Sequence, residues 1–219
     1  MGTSVIVRAV VAGPEQAAVL AGAERQTRPP DDTVLLGAGE RVEAGSADWL
    51  WLLDGSAVPR EDSLEQLLAV VADPGPIPAP ALLASKVERP DGSFDPDYFV
   101  VPQVGDRDVA IGAFERHVVS IRVVGGGSLL VARRFVEGFR PDPFANEFEW
   151  AARVLREAPG LLVPDSVAVR TGPHPGRAWR LLRGRLRMLF GNAIEPPEKP
   201  WFALRLAEDA LGHLRRQVA

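Results

Sequence analysis

Apolar, β-branched runs alternate with segments of helical period along most of this chain, and that alternation limits the folds open to it. "SVIVRAVVAG" (4–13) reads as a first strand ended by Gly13 and Pro14, and "PEQAAVLAGAERQ" (14–26) as a helix with proline at its first position. "RPPDD" (28–32) stops that helix. "TVLLGAG" (33–39) is a short buried strand, "ADWLWLLDG" (47–55) a longer one, and "REDSLEQLLAVVAD" (60–73) a helix whose Leu64, Leu67, Leu68 and Val71 share one face. The stiff connector "PGPIPAP" (74–80) precedes the strand "ALLASKVE" (81–88) and the turn "RPDGS" (89–93). Residues 94–117 show no clear period. "VVSIRVV" (118–124) is a strand, and "GGGSLLVARRFVEGF" (125–139) a glycine turn leading into a strand or a helix start. "NEFEWAARVLREA" (146–158) predicts a helix and "GLLVPDSVAVR" (160–170) a last strand, followed by helical segments over 177–190 and 200–218.

Strands that trade places with helices imply an α/β fold. The expected architecture is one Rossmann-like domain with a mostly parallel central sheet, helices on both faces and a C-terminal helical pair. The expected division is 1–174 for the α/β domain and 175–219 for a basic helical extension packed on it. Ligands on such sheets bind at the carboxyl ends of the strands. The strand ends at Leu36, Asp54 and Gly125 are therefore where a site is sought.

The chain has 219 residues and no cysteine, which excludes disulfides and thiolate metal sites. No apolar stretch reaches the roughly 18–20 residues of a membrane helix, and the N-terminus has no secretory pattern, so a cytoplasmic protein is expected. The net charge of −4 is uneven: 170–219 holds ten Lys or Arg against four Asp or Glu, or +6, which leaves −10 for the rest. A nucleic-acid footprint over the whole chain is not present. His117, His174 and His213 lack metal-ligand spacing and read as surface or capping residues. Neither a nucleophile elbow, a Walker loop nor a full dinucleotide fingerprint occurs.

From Trp49 to about Thr171 the order of segments resembles the inverting family-2 glycosyltransferases of the GT-A fold. "WLWLLDGSAVPREDSLEQLL" resembles their strand, metal-binding Asp-x-Asp turn and following helix; "ALLASKVERPDGS" resembles the next strand and Pro-Asp-Gly turn. "GGGSLLVARRFVEGFRPDPFANEFEWAARVLREAPGLLVPDSVAVR" resembles their acceptor-side block. By this resemblance Asp54 matches the first Asp of the turn, and Ser56 stands where the second, metal-holding Asp belongs. Glu147 matches the general base, while Glu149 and Arg153 match the next acidic residue and its Arg. Arg170 stands at the place of a metal-associated His, and Gly37 at that of an Asp that reads the nucleotide base. The segment between Gly39 and Trp49 is shorter than the family's, so a helix is expected to be missing there.

A divalent ion in such a site neutralises the leaving diphosphate and wants hard, charged oxygen ligands, which makes Mn²⁺ or Mg²⁺ doubtful with Ser56 and Arg170 in those places. Two readings of Arg170 stand: a guanidinium that binds the diphosphate in the metal's stead, or a structural partner of a nearby carboxylate. Glu147 and Glu149 also fit a helix start with Asn146 as N-cap, Glu149 completing a capping box. "GGG" (125–127) reads as a flexible loop or as amides approaching a phosphate. Trp49, Trp51 and Trp150 read as core residues, Trp150 also as an acceptor platform. The helix over 177–190, with Arg177, Arg180, Arg183, Arg185 and Arg187 around an apolar stripe, is either solvent-facing or a contact for an anionic inner membrane face or a protein. The functions carried forward are transfer of a sugar from a nucleotide-sugar donor without metal, and a pseudoenzyme that binds a protein or glycan. No motif specifies donor sugar, acceptor or oligomeric state.

Overall fold

The computed structural model describes residues 5–12, 16–37, 40–95, 98, 100–103, 107–136, 147–171, 186, 189–190, 196–200, 202–204 and 206–207. Strands β1 (Val7–Ala12), β2 (Asp32–Leu36), β3 (Trp49–Asp54), β4 (Ala57–Pro59), β5 (Leu82–Glu88), β6 (Val100–Pro102), β7 (Val119–Val124), β8 (Ser128–Ala132) and β9 (Gly160–Arg170) form one nine-stranded sheet. Its order is β2-β1-β3-β8-β5-β9-β7-β6, with β4 hydrogen-bonded to β9. β1 pairs parallel with β2 and β3, and β5 parallel with β9. β8 runs against both β3 and β5, so β1, β2, β3, β5 and β9 all point one way and end on one edge. This is the α/β sheet that the alternation predicts.

Helices α1 (Gln16–Glu24), α2 (Ser63–Ala72) and α3 (Arg107–Glu115) pack on one face, α4 (Glu147–Glu157) on the other. The two cores follow from the two-residue period of a strand. Trp51, Leu83 and Leu130 point to the α1–α2–α3 side, and their neighbours Leu50, Leu82 and Leu129 to the α4 side. Burial on both sides explains why these strands read as unbroken apolar runs. Gly22 lets α1 settle on β4, because a Cβ there would lie 2.8 Å from Val58 Cγ1.

One polar chain crosses the core. The Trp51 indole N–H donates to Ser128 Oγ at 2.9 Å, and Ser85 Oγ lies 2.7 Å from both Ser128 Oγ and Ser166 Oγ. The Ser166 hydroxyl donates to the Ser63 carbonyl at 2.9 Å, which fixes the direction of the relay: each hydroxyl gives one proton and accepts one. The relay crosses β5 and β9 where their register jumps, Ser85 facing Val163 and Lys86 facing Val167.

The 94–117 stretch, left unassigned by its sequence, forms β6 and α3, and residues 57–59, between the predicted strand and helix, form β4. α2 starts at Ser63 rather than residue 60, since Arg60–Asp62 make the turn out of β4. The glycine run 125–127 is buried rather than a flexible loop: a Cβ on Gly127 would lie 2.7 Å from Val87 Cγ2, and its φ of 143° suits glycine alone. Pro14, Asn146 and most of 172–219 lie outside the described residues. Of the C-terminal part, Glu198 accepts a hydrogen bond from Arg122 Nε at 2.7 Å, and Phe202 and Leu206 are buried. Among the described residues no helix is long and apolar enough to cross a membrane.

Candidate active site

Asp54 is the last residue of β3, on the edge where the parallel strands end. Its Oδ1 accepts the backbone N–H of Ser56 at 3.2 Å, an Asx turn that sends the chain into β4. β4 runs against the end of β9 and sets Ala57 opposite Arg170. That pairing delivers the Arg170 side chain to the Asp54 turn. Its Nη1 donates to Ser56 Oγ at 2.7 Å and lies 3.9 Å from Asp54 Oδ2, while Nε–H donates to Asp95 Oδ2. Asp95 is brought there by the Arg89–Ser93 turn and by its own N–H, which donates to the Val87 carbonyl at 3.0 Å.

All four side chains are buried, with Ser56 at 0% and Arg170 at 8% exposure. Two carboxylates face one guanidinium, so these three groups together carry −1. The third nitrogen of Arg170, Nη2, is buried with no hydrogen-bond partner. An unsatisfied buried donor is costly.

This donor set does not fit a divalent cation. The guanidinium occupies Ser56 Oγ and Asp95 Oδ2, the oxygens that would join Asp54 around an ion, and its own charge opposes a second cation. Among the described residues no group of three or more His, Asp or Glu is arranged to hold a metal.

The sequence-predicted residues fall into two groups. Asp54, Ser56 and Arg170 come together. Arg170 is ion-paired with the Asp95 carboxylate and donates to Ser56 Oγ. Glu149 and Arg153 pair with each other one turn apart on α4 and with no member of the buried cluster. Glu147 opens α4, the helix on the Asp54 side of the sheet, and its side chain is outside the described residues. Trp51 is fully buried, whereas Trp49 and Trp150 are half-buried, with the Trp150 indole N–H donating to the Phe135 carbonyl at 3.1 Å. His117 is exposed and follows α3 with a φ of 56°, a helix-terminating conformation, and His174 and His213 lie outside the described residues. Gly37 follows β2 without a side chain, and residues 40–48 contain no helix, as the short spacing implied.

Sequence reasoning missed Asp95. It sits in the stretch without a period, and its one signal is an acidic residue two positions beyond a Pro-Asp-Gly turn. Sequence reasoning also missed Glu88, buried at the end of β5 between Lys86 Nζ and Arg60 Nη2, each 2.6 Å away.

Solved structures identify the architecture. S. aureus TarS 1–349 superposes with a TM-score of 0.53 at 11% identity, over 94% of this chain and 72% of that one. The fold is GT-A-like. The same TarS fragment in complex with UDP-GlcNAc gives a TM-score of 0.53 at 10% identity, over 94% and 73% of the two chains. Against the longer S. aureus TarS structure the match has a TM-score of 0.53 at 9% identity and spans 43% of that protein. TarS is a glycosyltransferase, and identities this low establish the shared fold alone. No protein-family model and no curated protein sequence matches the chain.

Proposed function

We propose that this GT-A-like protein transfers a sugar from a nucleotide-sugar donor in the manner of the inverting family-2 enzymes, and does so without a divalent metal. The observation that carries the reading is the guanidinium of Arg170, hydrogen-bonded to Ser56 and 3.9 Å from Asp54 at the edge where the parallel strands end. A guanidinium supplies permanent positive charge and directed donors to a diphosphate. Glu147 serves as general base in this reading. The acceptor hydroxyl gives its proton to the carboxylate as its oxygen bonds to the anomeric carbon. The electron pair of the anomeric C–O bond leaves with the diphosphate beside Arg170. Glu149 and Arg153 hold each other on the same helix and form part of the acceptor side. The UDP and UDP-GlcNAc complexes of TarS support a nucleotide-sugar as the ligand class.

A second reading is favoured by the charge of the cluster. Asp95 already engages Arg170, and Asp54 leaves the three groups at −1, a field that opposes a diphosphate. On that reading the chain keeps the scaffold and binds a protein or glycan without catalysis. A thermal-shift series with UDP, GDP, dTDP and their sugars, in Mn²⁺ and again in EDTA, separates the two. Ligand at 100 times its Kd adds about 2.7 kcal/mol, or roughly 5–10 °C for a chain of this size. A shift that survives EDTA supports metal-free donor binding, and a shift only with Mn²⁺ overturns the metal-free claim. No shift with any nucleotide overturns the transferase reading in favour of the binding module.

A further inference from the structure

The path of the sheet has two ends, β2 and β6, and they are finished differently. β6 is three residues long, its register with β7 shifts between Val101 and Pro102, and it ends in that proline, which has no N–H to give. Shortness, a bulge and a proline all keep an edge from pairing further. β2 has none of them. Its five residues run in unbroken register with β1, and residues 40–48 form neither a helix nor a strand that would continue the sheet. The Gly55 N–H donates to the Ala12 carbonyl, so the even residues of β1 bond to β3 and the odd ones to β2. By the same alternation Asp32, Val34 and Leu36 turn their backbone groups to β1, and Thr33 and Leu35 turn theirs outward. The Leu35 side chain is also 50% exposed.

This edge is complementary to itself. Two β2 strands set antiparallel about a two-fold axis at Val34 bring Thr33 opposite the second copy's Leu35, and each such pair exchanges two backbone hydrogen bonds. Val34 then faces its own counterpart, and the two Leu35 side chains are diagonal neighbours. Asp32 comes opposite the second copy's Leu36, which lines a cavity together with Arg41. The Arg41 guanidinium is exposed and makes no ion pair among the described residues. Asp32 pairs with Arg8 at 2.7 Å, yet its side chain is half exposed. Asp31 pairs with Arg28 at 3.0 Å, and Glu40 accepts the Gly37 N–H at 2.8 Å. Each end of the paired strands thus gathers three carboxylates, of Asp31, Asp32 and Glu40, and three guanidinium groups, of Arg8, Arg28 and Arg41. The charges balance, and Arg41 is free to meet the exposed side of Asp32 across the axis.

We propose that β2 is the contact of a homodimer, in which two copies join edge to edge through antiparallel β2 strands into one continuous sheet. A contact built on two short strands is at the small end of specific interfaces, so the expected dissociation constant is about 10–100 µM. Sedimentation velocity of the full chain at about 300 µM should then give a mass approaching twice the 23.6 kDa of one chain. Leu35→Lys puts a charge on the exposed edge and should weaken the dimer at least about 10-fold. The chain has no cysteine, so an introduced one reads the register. Val34→Cys should form an intermolecular disulfide under mild oxidation, because directly opposite, non-hydrogen-bonded residues of antiparallel strands have Cα atoms about 4.5 Å apart, within disulfide range. Ile111→Cys, exposed on α3, is the control and should remain a thiol. A wild type that stays at the mass of one chain overturns the proposal. A dimer that Leu35→Lys leaves unchanged lies on another surface and also overturns it. Should Leu35→Lys fail to fold, Val34→Cys decides alone, and crosslinking no faster than that of Ile111→Cys counts against the contact.

Discussion

Replacing Arg170 by methionine tests the buried cluster most directly. Methionine keeps much of the stem's volume and removes the guanidinium that Asp95 and Ser56 engage and that Asp54 faces at 3.9 Å. Opposite charges at that separation attract by about 4 kcal/mol at an effective dielectric of 20, and burial of both partners offsets part of this gain. Removing one partner keeps the burial penalty of the other, so the expected loss is about 3–5 kcal/mol. For a chain of this length that lowers Tm by about 6–20 °C. Urea unfolding at pH 7 measures it. Arg170→Met with Asp95→Leu should recover about 2 kcal/mol or more, because the bereaved carboxylate is then gone. An Arg170→Met protein within about 1 kcal/mol of wild type, or double-mutant losses that simply add, would refute the claim that Arg170 and Asp95 are a coupled buried pair.

Further expectations concern other parts of the chain. Ser85→Ala cuts the relay between Ser128 and Ser166 and should cost about 1–3 kcal/mol in urea unfolding, with Ser85→Ala/Ser128→Ala costing less than the sum of the single changes. Gly127→Ala places a methyl 2.7 Å from Val87 Cγ2 at a φ of 143°, and should cost about 2 kcal/mol or more by the same assay. Glu149→Gln removes an exposed pair with Arg153 and should change stability by under about 0.5 kcal/mol, so a large loss of transfer activity in that variant would point to chemistry rather than folding. The Val7 N–H that donates to Asp31, helped by Arg28, holds the Asp31 carboxyl below the usual carboxylate range. A depressed carboxylate stabilises the fold above its unfolded pKa, about 3.9, and loses that contribution as pH falls through the folded value. Stability measured from pH 5 down to pH 2 should therefore fall less steeply in Asp31→Asn than in the wild type.

How much the sequence disclosed varies along the chain. The strands 7–12, 49–54, 82–88 and 160–170 were legible because residues buried on both faces must be apolar throughout. α2 and α4 were legible from their period. β4 was not, since three residues ending in proline carry no period, and its strand character comes from the end of β9 lying alongside. The 94–117 stretch failed for a similar reason, with β6 three residues long and the apolar positions of α3 set by what lies beneath them.

The site divides along the same line. Local chemistry put Asp54 at a strand end and Ser56 two residues on, and the Asx turn needs nothing beyond those residues. The partners of Arg170 depended on what stood across from it. Asp95 is 75 residues away in sequence and Ser56 is 114 away, and their meeting is fixed by the β4–β9 pairing and the turn after β5. The sequence alone determined the layered α/β architecture and the edge of the sheet where a site belongs, because periodicity and burial are local consequences of composition along the chain. Tertiary structure alone decided which charges share that edge, because ion pairs between distant strand ends follow register, and register is a property of the whole sheet.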